Sequence, residues 1–113
     1  KTDANNAVSA SAAPTISEIT PGSCTLVVTW SCSSCPSTFD GFNVYWQQTG
    51  KESQSEKTSY QTNQYKIDGL ISSQSYTVWV ASIIDDVETN SGKEQESTEK
   101  GVLTMLVEYK QRP

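Results

Sequence analysis

Two of the three cysteines have the spacing of a reactive thiol pair, Cys32-Ser33-Ser34-Cys35. A Cys-x-x-Cys redox site requires a helix N-terminus to lower the pKa of one thiol, whereas Pro36 continues a loop at this point. The same spacing is compatible with a disulfide that stiffens the loop and with a pair of reduced thiols. The pattern favours the disulfide, and a disulfide of this kind favours an extracellular compartment.

The third cysteine, Cys24, cannot pair with Cys32 because the two stand at opposite ends of one expected strand. Eight residues at about 3.3 Å each separate them by roughly 26 Å, and a disulfide requires Cα atoms within about 7 Å. Cys24 is either a small apolar residue at the start of the strand or the partner of a cysteine outside this segment, and the first is favoured.

The polar residues do not have the pattern of an enzyme site. The chain contains no histidine, which excludes histidine general bases, histidine-activated nucleophiles and histidine-ligated zinc. The sequence shows no nucleophile–base pair, no paired carboxylates on facing strands and no phosphate-binding glycine loop. We therefore expect no catalysis, no cofactor and no bound metal.

The charge and hydropathy of the chain limit the classes of partner that it can have. A net charge of −5 over 113 residues argues against nucleic acid or an anionic membrane as the main partner. No apolar run approaches the roughly 18–20 residues of a membrane span, so we expect no membrane insertion by this segment. The polar opening residues do not form a signal peptide.

Short apolar alternations, separated by turn residues, predict about seven strands and no helix. Leu26, Val28 and Trp30 share one face of a strand rich in β-branched residues, and two later segments repeat the pattern. We expect an all-β, seven-stranded antiparallel β-sandwich over residues 14–109, with its last strand at 102–109. Residues 1–13 and 110–113 are expected to be a flexible tail or linker and a C-terminal tail. The expected core residues are Leu26, Val28, Trp30, Phe42, Val44, Trp46, Leu70, Tyr76, Val78 and Val80.

Three motifs within residues 14–109 resemble a fibronectin type III domain. The first is Leu26-x-Val28-x-Trp30, and the second, Phe42-x-Val44-x-Trp46, is similar to the third strand of the family. The third is Leu70 followed by Tyr76-x-Val78-x-Val80, which resembles a tyrosine corner, where the tyrosine hydroxyl bonds to the backbone upstream. Two features depart from the family: Ile71–Ser75 replaces the usual Pro-Gly, and most members lack Cys32 and Cys35.

The resemblance implies that the third and sixth strands are neighbours, with Tyr45 and Trp79 pointing outward from the same sheet. Exposed aromatic side chains are frequent at binding hot spots, so this pair is a candidate partner-binding surface. The alternative, which is favoured, is a cross-strand pair that stabilises the sheet.

The second candidate surface is residues 85–100, expected to be an acidic loop. It holds six carboxylates against two lysines, and the resemblance places it at the same end of the sandwich as the Cys32–Gly41 loop. It is either a site for a protein with a basic surface, through electrostatic steering, or a solvated loop without a partner. Its spacing matches no calcium-binding loop. The candidate binding residues here are Asp85, Asp86, Glu88 and Asn90.

The resemblance implies a non-catalytic, extracellular protein-binding module of an adhesion or receptor-type protein. Such a module presents loops and one sheet face to a protein partner and has neighbouring domains in the same chain. The alternative is a structural spacer domain in a secreted or surface-anchored multidomain protein. Fold alone supports only the class of module, and the partner must be inferred from the site.

Overall fold

The computed structural model describes residues 12–100, which form eight strands and no helix. The expected all-β sandwich is confirmed, with one strand more than the expected seven. The expected strand at 102–109, most of the tail at 1–13 and the tail at 110–113 lie outside the described residues. The strands are β1 (Thr15–Pro21), β2 (Leu26–Ser31), β3 (Gly41–Gln48), β4 (Ser53–Thr58), β5 (Gln64–Ile67), β6 (Ser75–Ile84), β7 (Val87–Asn90) and β8 (Glu94–Ser97).

The strands form two antiparallel sheets. One sheet has the order β1-β2-β5, and the other has the order β4-β3-β6-β7, with β8 also paired to β6. Residues directly opposite each other share a face of a sheet, so Val44 and Val80 point inward together while Tyr45 and Trp79 point outward together. No helix within residues 12–100 is long and apolar enough to span a membrane.

The core lies between the two sheets. Nine of the ten expected core residues are buried, and the tenth, Trp46, is half-buried and packs against them. Trp46 stacks on Tyr65 with ring centroids 6.3 Å apart. Ile67 of β5 is also fully buried. Packing of this kind buries the alternating apolar side chains of both sheets and is the main stabilising term of the fold.

The tyrosine corner forms although the usual Pro-Gly is missing. The hydroxyl oxygen of Tyr76 accepts a hydrogen bond from the backbone N–H of Ile71 at 2.9 Å. Thr98 reinforces the same corner because its hydroxyl donates to the Ile71 carbonyl at 2.6 Å. The end of the last described strand is thereby joined to the loop before β6.

Half of residues 85–100 lies in two strands, so the expectation of one long acidic loop is wrong. β7 and β8 pair one after the other with the same edge of β6, from Ile84 opposite Val87 to Ser75 opposite Ser97. Both strands are short and mostly exposed. They lack an apolar alternation because backbone hydrogen bonds to β6, and not burial of their own side chains, hold them in place.

Candidate binding surface

Tyr45 and Trp79 stack on the outer face of the second sheet. They lie directly opposite each other on β3 and β6, with ring centroids 5.0 Å apart and ring planes 5° from parallel. The antiparallel register of the two strands positions both rings. The structure therefore brings together the two aromatic residues of the first candidate surface.

Trp79 points outward but is covered, since only 8% of it is exposed. Tyr45 stacks on it, and the Lys93 ammonium lies 4.4 Å from the centroid of its ring, as a cation–π contact. Lys93 belongs to the short connection between β7 and β8, which no sequence pattern indicated. Tyr45 itself is half-buried.

Glu88 joins β7 to β3 across the intervening strand β6. Its carboxylate accepts hydrogen bonds of 2.7 Å from the Tyr45 hydroxyl and of 2.7 Å from the Asn43 side-chain amide. The hydrogen bond to Glu88 is the main cause that raises the pKa of Tyr45, followed by burial and by the negative charge of Glu88. Tyr45 is thus held as a protonated donor, and these contacts stabilise the sheet face.

An acidic turn joins β6 to β7 at one end of the sandwich. Asp85 and Asp86 have positive φ angles of 52° and 65°, which is typical of the two-residue turns of hairpins. The backbone N–H of Asp86 donates to the Asp40 carboxylate at 3.3 Å. Val87 follows directly and is 60% exposed. We call Asp40, Asp85, Asp86 and Val87 the acidic tip.

The remaining candidate binding residue, Asn90, lies on β7 opposite Ala81. It is exposed and shares the outer face with Glu88, because the two are separated by one residue along the strand. Only the turn at Asp85 and Asp86 reaches the end of the sandwich next to Asp40, since β8 runs away from it along β6. The structure therefore divides the second candidate surface into a tip and a strand.

Cys32 and Cys35 form a disulfide with Cα atoms 5.4 Å apart. The disulfide lies beside the segment that precedes β1, because the Ala12 carbonyl oxygen is 3.6 Å from Cys32 Sγ. The same carbonyl accepts a hydrogen bond of 2.8 Å from the Ser82 hydroxyl. Pro36 continues a loop, and no helix begins there. The local structure is that of a structural bridge.

Cys24 is a free and exposed thiol. Its sulfur lies 3.5 Å from the Ser72 hydroxyl. The favoured expectation, that it is a small apolar residue packed at the start of the strand, is wrong because the residue is exposed. Among residues 12–100, no group of three or more acidic or cysteine side chains is arranged to hold a metal ion.

The family follows from comparison with known proteins. A family model described as the fibronectin type III domain matches residues 9–99. The chain belongs to this family. Fibronectin type III domains are commonly extracellular modules of adhesion or receptor proteins, generally non-catalytic, and often sit beside other domains.

Solved structures of several fibronectin type III domains have the same fold. The FN5 domain of Drosophila Lar is 21% identical, with a TM-score of 0.64 over 78% of this chain and 96% of that one. The FN3 domain of human collagen XX is 19% identical, with a TM-score of 0.64 over 76% and 90%. The FN1–FN3 domains of chicken CNTN1 are 18% identical, with a TM-score of 0.70 over 78% and 32%. No curated protein matches significantly. These likenesses show the fold alone.

Sequence reasoning missed three residues of the surface. Asn43 has the same alternation as Tyr45, so its outward position could have been inferred from the sequence. Asp40-Gly41, at the end of the loop over residues 32–41, is a turn signal in the sequence, but it does not indicate the contact of Asp40 with Asp86. Lys93 carried no signal, because its position above Trp79 depends on how β8 pairs with β6.

Proposed function

We propose that this domain is a non-catalytic extracellular module of an adhesion or receptor-type protein that binds a protein partner through the acidic tip. The observation that carries the proposal is the exposed Val87, which directly follows Asp85 and Asp86 in a turn that is hydrogen-bonded to the Asp40 carboxylate. An apolar side chain among like charges is suited to a partner surface that combines an apolar contact with lysine or arginine.

Strand pairing and a hydrogen bond to Asp40 constrain the tip. The turn contains only two residues between paired strands, and the Asp40 carboxylate accepts a hydrogen bond from the backbone N–H of Asp86. Rigid loops bind with a smaller loss of conformational entropy than mobile ones. The negative charge also increases the rate of encounter with a basic surface, an effect that salt weakens.

The Tyr45–Trp79 stack supports the tip and is not the main contact in this proposal. Glu88 follows Val87 and is joined to Tyr45 and Asn43 on β3. These bonds connect the start of β7 to the centre of the sheet. The partner contacts the tip, while Trp79 remains covered.

Capture of extracellular and cell-surface proteins on the immobilised chain tests the proposal. Asp85→Asn with Asp86→Asn removes two charges and keeps residues that tolerate a positive φ, and Val87→Thr removes the apolar contact. Glu52→Gln with Glu56→Gln, on and beside β4, is a control with the same change of charge. We expect a protein that is retained by the wild type and the control, lost with both tip variants, and released by salt.

Retention of the same proteins by the wild type and both tip variants would contradict the proposal. A wild-type chain that retains nothing contradicts it as well and leaves the spacer role. The melting temperature of each variant is measured in parallel, so that loss of capture is separated from loss of folding.

A further inference from the structure

A groove beside the disulfide differs from the acidic tip because no charged residue in the described part of the chain lines it. It has a volume of about 510 Å³, and its walls are the loop after β2 and the connection between β4 and β5. This volume falls within the roughly 300–1,000 Å³ typical of small-molecule sites. The disulfide and Pro36 line one side of it and stiffen that wall.

Aromatic rings form a continuous array along this groove. Phe39 lies 5.2 Å from Phe42 and 5.5 Å from Tyr60, between ring centroids, and Phe42 lies 5.5 Å from Trp30. Phe39 and Tyr60 are half-buried, so part of each ring remains accessible from the groove. Ring faces of this kind pack against apolar C–H groups of a ligand.

The polar part of the groove is entirely neutral. None of the described residues that line it is charged, although the whole chain carries 21 acidic and basic side chains. Hydroxyl and amide side chains, which both donate and accept hydrogen bonds, supply its polar surface. These residues are Ser31, Ser37, Gln61, Thr62 and Asn63.

Trp30, which lines the same groove, has a buried hydrogen-bond donor without a partner within residues 12–100. The residue is 1% exposed, and its indole N–H has no hydrogen-bond partner among the described residues. A buried donor without a partner carries a free-energy cost that an acceptor oxygen would remove.

We propose that this groove binds a neutral carbohydrate. A sugar ring has C–H groups that pack on Phe39 and Tyr60, and hydroxyls that exchange hydrogen bonds with neutral amides and hydroxyls. An ionic ligand finds no opposite charge here to offset the loss of its hydration. A second groove of about 550 Å³ contains Lys51, Glu52 and Asp68, and is therefore chemically different.

Titration of the full chain with defined sugars, followed by ¹⁵N NMR, tests this proposal. The neutral probes are glucose, galactose, N-acetylglucosamine and cellobiose, and the charged probe is glucuronic acid. We expect saturable shifts of the Trp30 indole N–H and the Gln61–Asn63 backbone amides with at least one neutral probe. The dissociation constant should be on the order of millimolar, as suits a small open site.

Two variants locate the binding to this groove. Tyr60→Ala removes a ring face and Gln61→Ala removes an exposed amide, and each should weaken binding about tenfold. Lys51→Ala with Glu52→Ala, in the charged groove, is the matched control and should leave the affinity unchanged. Gln61 is exposed, so its variant remains folded even where Tyr60→Ala does not.

Several results would overturn the proposal. These are no shift with any neutral probe up to about 100 mM, shifts with glucuronic acid alone, and unchanged affinity in Gln61→Ala. Shifts produced only by a proline-rich peptide would show that the groove takes a protein segment instead. Because the acidic tip takes no part, these outcomes are independent of the partner-binding test.

Discussion

Glu88 connects two strands that share no hydrogen-bonded ladder. Its carboxylate accepts hydrogen bonds from Tyr45 and Asn43 of β3, while its own strand β7 lies beyond β6. Both ends of this link are partly open to solvent, which limits its contribution to stability to about 1 kcal/mol. The main effect of this link is on the ionisation of Tyr45, because a phenolate beside the Glu88 carboxylate is disfavoured.

The raised pKa of Tyr45 predicts a loss of stability at high pH. A phenol with a higher pKa in the folded state stabilises fully below its unfolded pKa of about 10. This contribution disappears as the pH rises through the folded value. We expect the free energy of unfolding, measured in urea, to fall above about pH 10. Tyr45→Phe keeps the ring stack and should reduce that fall.

Tyr65 is a second tyrosine with a raised pKa, caused by burial and then by the charges of Glu56 and Asp68. It serves as a control because Glu88 is not among these causes. Tyr65→Phe should remove a separate part of the alkaline loss and leave the Tyr45 contribution in place. If Tyr45→Phe leaves the alkaline loss unchanged, the hydrogen bond to Glu88 does not control this ionisation.

Among the strands, β6 has the most neighbours. It pairs with β3 along one edge and with β7 and β8 along the other, and eight of its ten residues are buried. Its inward residues face the core, while Trp79 points outward and is covered by side chains of its neighbours. Burial on both sides accounts for the apolar residues at both inward and outward positions in 78–81 and 83–84 of this strand.

Substitution of Trp79 distinguishes packing from partner contact. Trp79→Ala removes a ring that is almost fully buried and should lower the free energy of unfolding by about 2–4 kcal/mol. Lys93→Ala removes only the cation and should cost about 0.5–1 kcal/mol. Unfolding in denaturant measures the free energy of unfolding of both variants. Unchanged stability of Trp79→Ala would contradict the packing role of this ring.

The whole sandwich depends on side chains that fill the space between its two sheets. Trp30 of β2 reaches Phe42 of the opposite sheet, with ring centroids 5.5 Å apart. Leu26 and Val28 lie on the same face of β2 and are fully buried. The acidic tip and the groove beside the disulfide both depend on this packing, because it fixes the loops that carry them.

Removal of the central ring should destabilise the entire domain. Trp30→Ala should cost roughly 3–5 kcal/mol, the usual range for a buried aromatic residue. Trp30→Phe keeps a ring beside Phe42 and removes the unpartnered N–H, so its loss should be clearly smaller. Chemical denaturation of the three proteins measures both. Equal stability of wild type and Trp30→Ala would contradict the packing of the two sheets through this residue.

Alternation along β2, β3 and β6 was enough to predict the inward and outward faces of these strands. Each has apolar residues at every second position, and the tyrosine corner added a marker that ties Leu70 to Tyr76. The same reasoning failed for β7 and β8, which have no buried apolar face. It also missed that Cys24 is exposed and that Lys93 covers Trp79, because neither belongs to an alternating segment.

Local pattern thus determines the side of the sheet to which each residue of a buried strand points, since that choice depends on neighbours two positions away in the chain. The tertiary structure decided what covers each outward side chain. Trp79 is buried because Tyr45 and Lys93, 34 and 14 residues away along the chain, meet it in space. Such contacts depend on the pairing of distant strands, which a local period does not encode.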